Sequence, residues 1–282
     1  MGNTLEAVEK WVKSHPYLEN IAALNTVCER MLENCDVLME VHDMDSIKEQ
    51  FISGTPLFLT DIDFGIENKA GAVFYTICKN DEKSLTADLP EEVQNFFGAV
   101  KELSQDKCSS IIKAVLEDDD KFLNEMADNL GAAKEQLKYF AWVSIKKALS
   151  GIKADIEKFI SDNLWQKGIC PVCGKMPSTA FFKHTKRGRQ RFLHCDHCGT
   201  EWVYKRIGCP YCENIDQKKM SIKDSDDEPD MRIDLCHKCN SYLKTYIGED
   251  NNSAGKEGWA SIHLDILMKD TGFAAKGSLV KP

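Results

Sequence analysis

Eight cysteines in four Cys-x-x-Cys pairs, all between Cys170 and Cys239, constrain this chain more than any other feature of its 282 residues. The pairs are Cys170/Cys173, Cys195/Cys198, Cys209/Cys212 and Cys236/Cys239. A thiolate is a soft, charged ligand, and four of them cage a Zn²⁺ ion tetrahedrally at about 2.3 Å. A two-residue gap lets one tight turn aim both sulfurs of a pair at the same ion. Gly174 and Gly199 directly follow two of the pairs, where such a turn calls for positive φ.

The pairs repeat. Cys170-Pro171-Val172-Cys173 matches Cys209-Pro210-Tyr211-Cys212 at an offset of 39, and Cys195/Cys198 matches Cys236/Cys239 at an offset of 41. Within each copy, 21 or 23 residues separate the two pairs, enough for a hairpin that returns the chain to the ion. The repeat therefore predicts sequential pairing: Cys170, Cys173, Cys195 and Cys198 at one ion, and Cys209, Cys212, Cys236 and Cys239 at a second. The 10-residue gap between Cys198 and Cys209 leaves an interleaved scheme open. The donor set suits zinc or iron. Both sites are coordinatively full, with no position for an activated water.

Other uses of paired cysteines fit less well. Disulfides belong to oxidising compartments, and the polar start MGNTLEAVEKWVKSHPYLEN lacks the basic and apolar regions of an export signal. No histidine directly follows a pair, as covalent haem attachment requires, and a thioredoxin-like βαβ context is missing. Met1-Gly2 with Glu6 does not fit the myristoylation pattern, and no apolar run approaches a membrane span. The expected address is the cytoplasm. A net charge of −9 argues against a general nucleic-acid binder, while 43% apolar residues suffice for a core. Gly-rich phosphate loops, Gly-x-Ser-x-Gly elbows and His-Glu-x-x-His motifs are missing, so a non-enzyme is expected.

The first 166 residues read as a helical domain. Ile21, Leu24, Val27, Cys28, Met31, Leu32, Cys35 and Leu38 share one helix face; Cys108, Ile111, Ile112, Val115 and Leu116 form another, followed by Phe122, Met126 and Leu130. A longer face runs through Leu137, Phe140, Ala141, Ile145, Ala148 and Leu149, with a continuation past Gly151 through Ile152, Ile156, Phe159 and Ile160. Cys28, Cys35, Cys78 and Cys108 read as core residues. Pro56 turns Gly54–Leu59 into an irregular apolar loop, and Leu89-Pro90-Glu91-Glu92 starts a helix. Modules at 167–206 and 207–248 follow, with strands expected at Ser178–Phe182, Arg191–His194, Glu201–Arg206, Arg232–Leu235 and Tyr242–Ile247. Residues 249–282 form a linker and a helix with Trp259, Ile262, His263, Ile266 and Leu267 on one face. The fold class is α+β: a helical N-terminal domain, then two tandem rubredoxin-like or zinc-ribbon modules.

Several residues near the cysteines invite a second role. His194, His197 and His237 could serve as auxiliary ligands, though four sulfurs already complete each cage. Trp202 and Tyr204 read as shielding for the first ion. Lys183–Arg191 reads as a basic loop, whose Lys186, Arg187, Arg189 and Arg191 would suit an acidic partner. Asp224–Asp230 reads as a solvated acidic loop.

The series CPVCGKMP, LHCDHCGTEWVYKRIGCPYC, DLCHKCNSYLKTY and IHLDILMKDTGF resembles the FdhE family of formate dehydrogenase accessory proteins, with Trp202, Arg206, Tyr242, Leu243, Lys244 and Thr245 in place. Over the N-terminal helices the likeness rests on the Gly-x-Pro-Leu-Phe stretch at 54–58. The resemblance implies two metal modules liganded by the eight cysteines. It also implies a cytoplasmic assembly factor that binds the catalytic subunit of a molybdenum- or tungsten-dependent formate dehydrogenase. Homodimerisation is left open, and neither nucleic acid nor membrane is an expected partner. The competing expectations are a rubredoxin-like electron carrier or redox sensor, and a nucleic-acid-binding zinc ribbon.

Overall fold

The computed structural model describes residues 2–37, 39, 44–224, 228–248 and 254–279. In chain order the helices are α1 (Gly2–Ser14), α2 (Glu19–Met31), α3 (Lys48–Ser53), α4 (Ile66–Cys78), α5 (Lys83–Thr86), α6 (Glu91–Val100), α7 (Gln105–Leu116), α8 (Asp120–Leu130), α9 (Lys134–Leu149) and α10 (Lys153–Asp162). The strands β1 (Thr179–Thr185), β2 (Gly188–His194), β3 (Glu201–Tyr204), β4 (Met220–Asp224), β5 (Met231–Cys236) and β6 (Ser241–Tyr246) follow, then α11 (Ile262–Leu267).

The chain forms two compact units, neither continuous in sequence. One comprises Tyr17–His42 and Asp63–Ala154; the other comprises Met1–Pro16, Asp43–Ile62 and Asp155–Pro282. The first unit is helical around buried Val73, Phe74, Ile77, Phe96, Ile111, Ile112, Leu137, Phe140 and Ile145. Its helices are punctuated as local chemistry dictates. Ser104 and Asp119 cap α7 and α8 by accepting the Lys107 and Phe122 N–H groups, and Pro90 precedes α6. Cys28, Cys78 and Cys108 are buried there, and burial pushes the Cys28 thiol up to about 12, so these are packed thiols.

Periodicity overran two helices. The face through Cys35 and Leu38 stops earlier, because α2 ends at Met31 before the turn-forming Asn34 and Asp36; Leu38 lies outside the described residues. The long face past Leu149 is interrupted by a 3-10 turn at Ser150–Ile152 containing Gly151.

In the second unit the strands form one sheet in the order β3-β2-β1-β6-β5-β4. Each module supplies a three-stranded antiparallel half, and β1 pairs with β6 in parallel through Thr179↔Lys244, Ala180↔Thr245 and Phe181↔Tyr246. The halves thus stack head to tail, as successive copies of one repeat would.

Three strand-region expectations change. Lys183–Arg191 is a hairpin, with Gly188 at φ +91° in its turn, and its Arg191 is only 2% exposed. Arg191 donates to the Asp234 carboxylate at 3.0 Å and is not a solvated charge, whereas Arg189, which donates to the Ile247 carbonyl at 3.1 Å, stays exposed. β4 was not expected. Of the acidic stretch, residues 225–227 lie outside the described residues, Asp224 ends β4 and Glu228 is buried. In the C-terminal segment a 3-10 turn at Gly258–Ser261 precedes α11; this shifts the buried face to Trp259, Leu264 and Met268 and leaves Ile266 and Leu267 exposed.

α1 belongs to this unit. Trp11 Nε1 donates to the Ala260 carbonyl at 3.0 Å, and the Glu228 carboxylate lies 2.8 Å from His15 Nε2 and 2.9 Å from His263 Nε2.

Candidate metal centres

Each cysteine pair sits in a tight turn closed by its own backbone. Gly174 N–H donates to the Cys170 carbonyl at 3.0 Å and Gly199 N–H to Cys195 at 2.8 Å. Both glycines have φ +74°. The repeat carries the same geometry into module two without glycine, since Glu213 and Asn240 occupy the matching positions at φ +57° and +49°. All four turns therefore take the left-handed conformation directly after the second cysteine.

The turns converge as the repeat predicts. Cys170, Cys173, Cys195 and Cys198 form one group; Cys209, Cys212, Cys236 and Cys239 form the other, and the sulfurs of each lie within 4.8 Å of one another. In the first, Cys170–Cys198 and Cys173–Cys195 are 3.4 and 3.6 Å apart. In the second, Cys209–Cys239 and Cys212–Cys236 are both 3.7 Å apart. Sulfurs 2.3 Å from a tetrahedral ion are separated by about 3.8 Å, so each group fits one ion. All twelve cysteines are unbridged, and the interleaved scheme is not what the fold brings together.

Electrostatics prepares both groups for a cation. Burial opposes ionisation of Cys198, yet the other three sulfurs and the Thr200 hydroxyl, 3.1 Å away, hold its thiol well below the usual range. Burial likewise opposes ionisation of Cys239, but the Ser241 hydroxyl at 3.4 Å and the sulfurs of Cys212, Cys209 and Cys236 bring it to about 7. Thr200 and Ser241 occupy the same repeat position, two residues after the ligand. In the first group Cys173 and Cys195 are pushed well up, by burial first, so a cation is what would ionise the full set.

The surroundings explain residues whose role the sequence left unstated. The loop at 54–59 packs on the first turn, where Leu57 and Phe58 N–H groups donate to the Pro171 and Val172 carbonyls at 2.8 and 2.9 Å. Trp202, buried beside the first group, donates to the Lys167 carbonyl at 3.2 Å. Arg191 links the modules: besides Asp234 it donates to the Gly208 carbonyl, next to ligand Cys209, at 2.9 Å. Tyr211 and Tyr204 add cross-module bonds to the Pro177 and Cys209 carbonyls at 3.0 and 3.3 Å. Lys244, only 1% exposed, donates to Asp265 at 2.6 Å, and Tyr242 donates to the same carboxylate at 2.7 Å, so Tyr242 and Lys244 of β6 anchor α11. His237 lies 2.8 Å from the Ser221 hydroxyl, and the two sulfur groups form without it.

A helical unit joined to a tandem pair of four-cysteine ribbon modules defines the class: a protein able to hold two metal ions on one continuous sheet. Residues 169–206 match the FdhE central domain. The FdhE homolog of Aquifex aeolicus is 27% identical over 269 residues, which span 94% of this chain and 88% of that protein. The homolog of Haemophilus influenzae is 31% identical over 166 residues, 55% of this chain and 54% of that protein. The crystal structure of the FdhE protein from Pseudomonas aeruginosa superposes with a TM-score of 0.67 at 20% identity, covering 98% of this chain and 93% of that one. Over nearly its full length the chain is thus similar to FdhE proteins, and it shares their fold.

No helix among the described residues is long and apolar enough to cross a membrane.

Proposed function

We propose that this protein is a non-catalytic accessory factor in formate dehydrogenase maturation that binds the enzyme's catalytic subunit in the cytoplasm. The near full-length likeness to FdhE proteins carries the reading. Two donor sets of four sulfurs support it, because a full tetrahedral cage leaves no ligand position for substrate or water. In this reading Cys170, Cys173, Cys195 and Cys198 hold one zinc or iron ion, and Cys209, Cys212, Cys236 and Cys239 hold another. The ions fix the sheet on which the partner is recognised. In sequence order, 1–166 is the helical part, 167–206 and 207–248 are the modules, and 249–282 closes the chain.

The test is affinity purification of the tagged chain from its source organism grown with formate dehydrogenase expressed. The catalytic subunit co-purifies, and deleting the gene removes enzyme activity that the wild-type chain restores. A deletion strain with unchanged activity and no captured subunit would sink the proposal.

The partial exposure of Cys212 and Cys239 favours one second reading, electron transfer through an iron-filled second site. It requires a coloured protein with a reversible one-electron couple; a colourless protein with stoichiometric zinc removes it.

A further inference from the structure

Away from the eight sulfurs, a different donor set converges in module one. His194 ends β2, Asp196 lies between ligands Cys195 and Cys198, and Glu257 comes from the segment just before the Gly258–Ser261 turn. Nε2 of His194 is 3.6 Å from Oδ1 of Asp196 and 3.6 Å from Oε2 of Glu257. One ligand atom from each residue lies within 4.8 Å of the others.

The distances are informative. Nitrogen and oxygen donors about 2.1 Å from a tetrahedral ion sit about 3.4 Å apart, near the separation observed. The backbone holds the cluster: Asp196 Oδ1 accepts the Gly258 N–H at 2.9 Å, fixing the carboxylate against the turn that follows Glu257. The side chains of His194 and Asp196 are 4% and 9% exposed, whereas that of Glu257 is 27% exposed.

We propose that His194, Asp196 and Glu257 form a third metal site, for a divalent first-row transition ion, with the remaining positions open to water. One imidazole and two carboxylates make a harder set than four thiolates. The ion therefore exchanges more readily than either sulfur-bound ion, and it clasps the segment at Glu257 onto the second cysteine turn of module one.

The full chain, carrying its two sulfur-bound ions, is dialysed free of loose metal and titrated with cobalt(II) chloride by calorimetry and visible absorption. One additional equivalent binds, with weak d–d absorption and no thiolate-to-cobalt band. Glu257→Gln and Asp196→Asn each weaken that equivalent at least ten-fold while retaining both sulfur-bound ions; the asparagine keeps an acceptor for the Gly258 N–H. No additional equivalent in the wild type overturns the proposal, as does one that persists in both variants or that appears as thiolate-to-cobalt absorption.

Discussion

Module one keeps all four of its sulfurs buried, whereas in module two Cys212 and Cys239 reach partway to the surface. The turns differ in the same sense, with glycine at positive φ after Cys173 and Cys198 but Glu213 and Asn240 at the matching places in module two. Module one is also braced from outside by the loop at 54–59 on its first turn, and from within by the Trp202 bond to the Lys167 carbonyl. One folding plan has thus been given two settings: a sealed cage that the unit is built around, and a strained, half-open one at the end of the same sheet. Burial and bracing distinguish the two groups; donor type does not, since both present four sulfurs.

The largest expected difference comes from removing one ligand in each module. Cys195→Ser loses the first ion, and with it a contribution on the order of 10 kcal/mol to folding of this unit, so circular dichroism shows no cooperative transition of the sheet. Cys239→Ser drops one ion but leaves a cooperative transition at lower temperature. Equal damage from both would erase the distinction.

Next comes the clamp that makes the modules one sheet. Arg191→Met removes one partner of the Asp234 carboxylate, which keeps Arg232 and Thr245, and frees the Gly208 carbonyl, and costs about 1–3 kcal/mol in denaturant melts. A loss below about 1 kcal/mol would mean that the parallel β1–β6 pairing suffices alone.

Ion exchange sharpens the contrast further. With excess chelator, one ion leaves at least ten-fold faster than the other, and Cys239→Ser abolishes the fast phase. Acid speeds release, because protons compete for the thiolates. The sign for a chain that has lost only the second ion follows from Cys239, lowered from the usual thiol value to about 7. Its contribution to stability is present above the unfolded thiol pKa and is lost as pH falls through about 7. Stability of that one-ion chain that rises as pH drops across that range would contradict the assignment.

The smallest effects test the turns. Gly174→Ala forces a side chain into the left-handed region, with its Cβ 3.3 Å from Pro56 Cγ, and costs about 1–2 kcal/mol. Glu213→Gly relieves such strain and raises stability by up to about 1 kcal/mol.

Cysteine spacing made the two four-sulfur groups legible, because a repeat with internal gaps of 21 and 23 residues can close only a few ways. Five of the strands were legible from their β-branched and aromatic runs. β4 was not: Met220-Ser-Ile-Lys-Asp is a mostly exposed edge strand, and its polar residues carry no burial signal. The basic hairpin misled for a related reason. Composition cannot tell a solvated arginine from Arg191, whose partner Asp234 is 43 residues away. Long-range pairing also hid the seating of 57–58 on the first cysteine turn and the approach of Glu257 to His194. The signal available in sequence was the repeat itself: aligning Gly174 with Glu213 and Gly199 with Asn240 flags the positive-φ positions, and aligning Thr200 with Ser241 flags the sulfur-facing hydroxyls.

The most direct test of two sulfur cages on one sheet is native mass spectrometry of the anaerobically purified chain after gel filtration, paired with circular dichroism before and after chelation. The account predicts a mass equal to the chain plus two tightly held ions, eight thiols shielded from alkylation, and collapse of the sheet once both ions are stripped. An ion-free chain that keeps its native spectrum, or one whose eight cysteines are joined as disulfides, would contradict it.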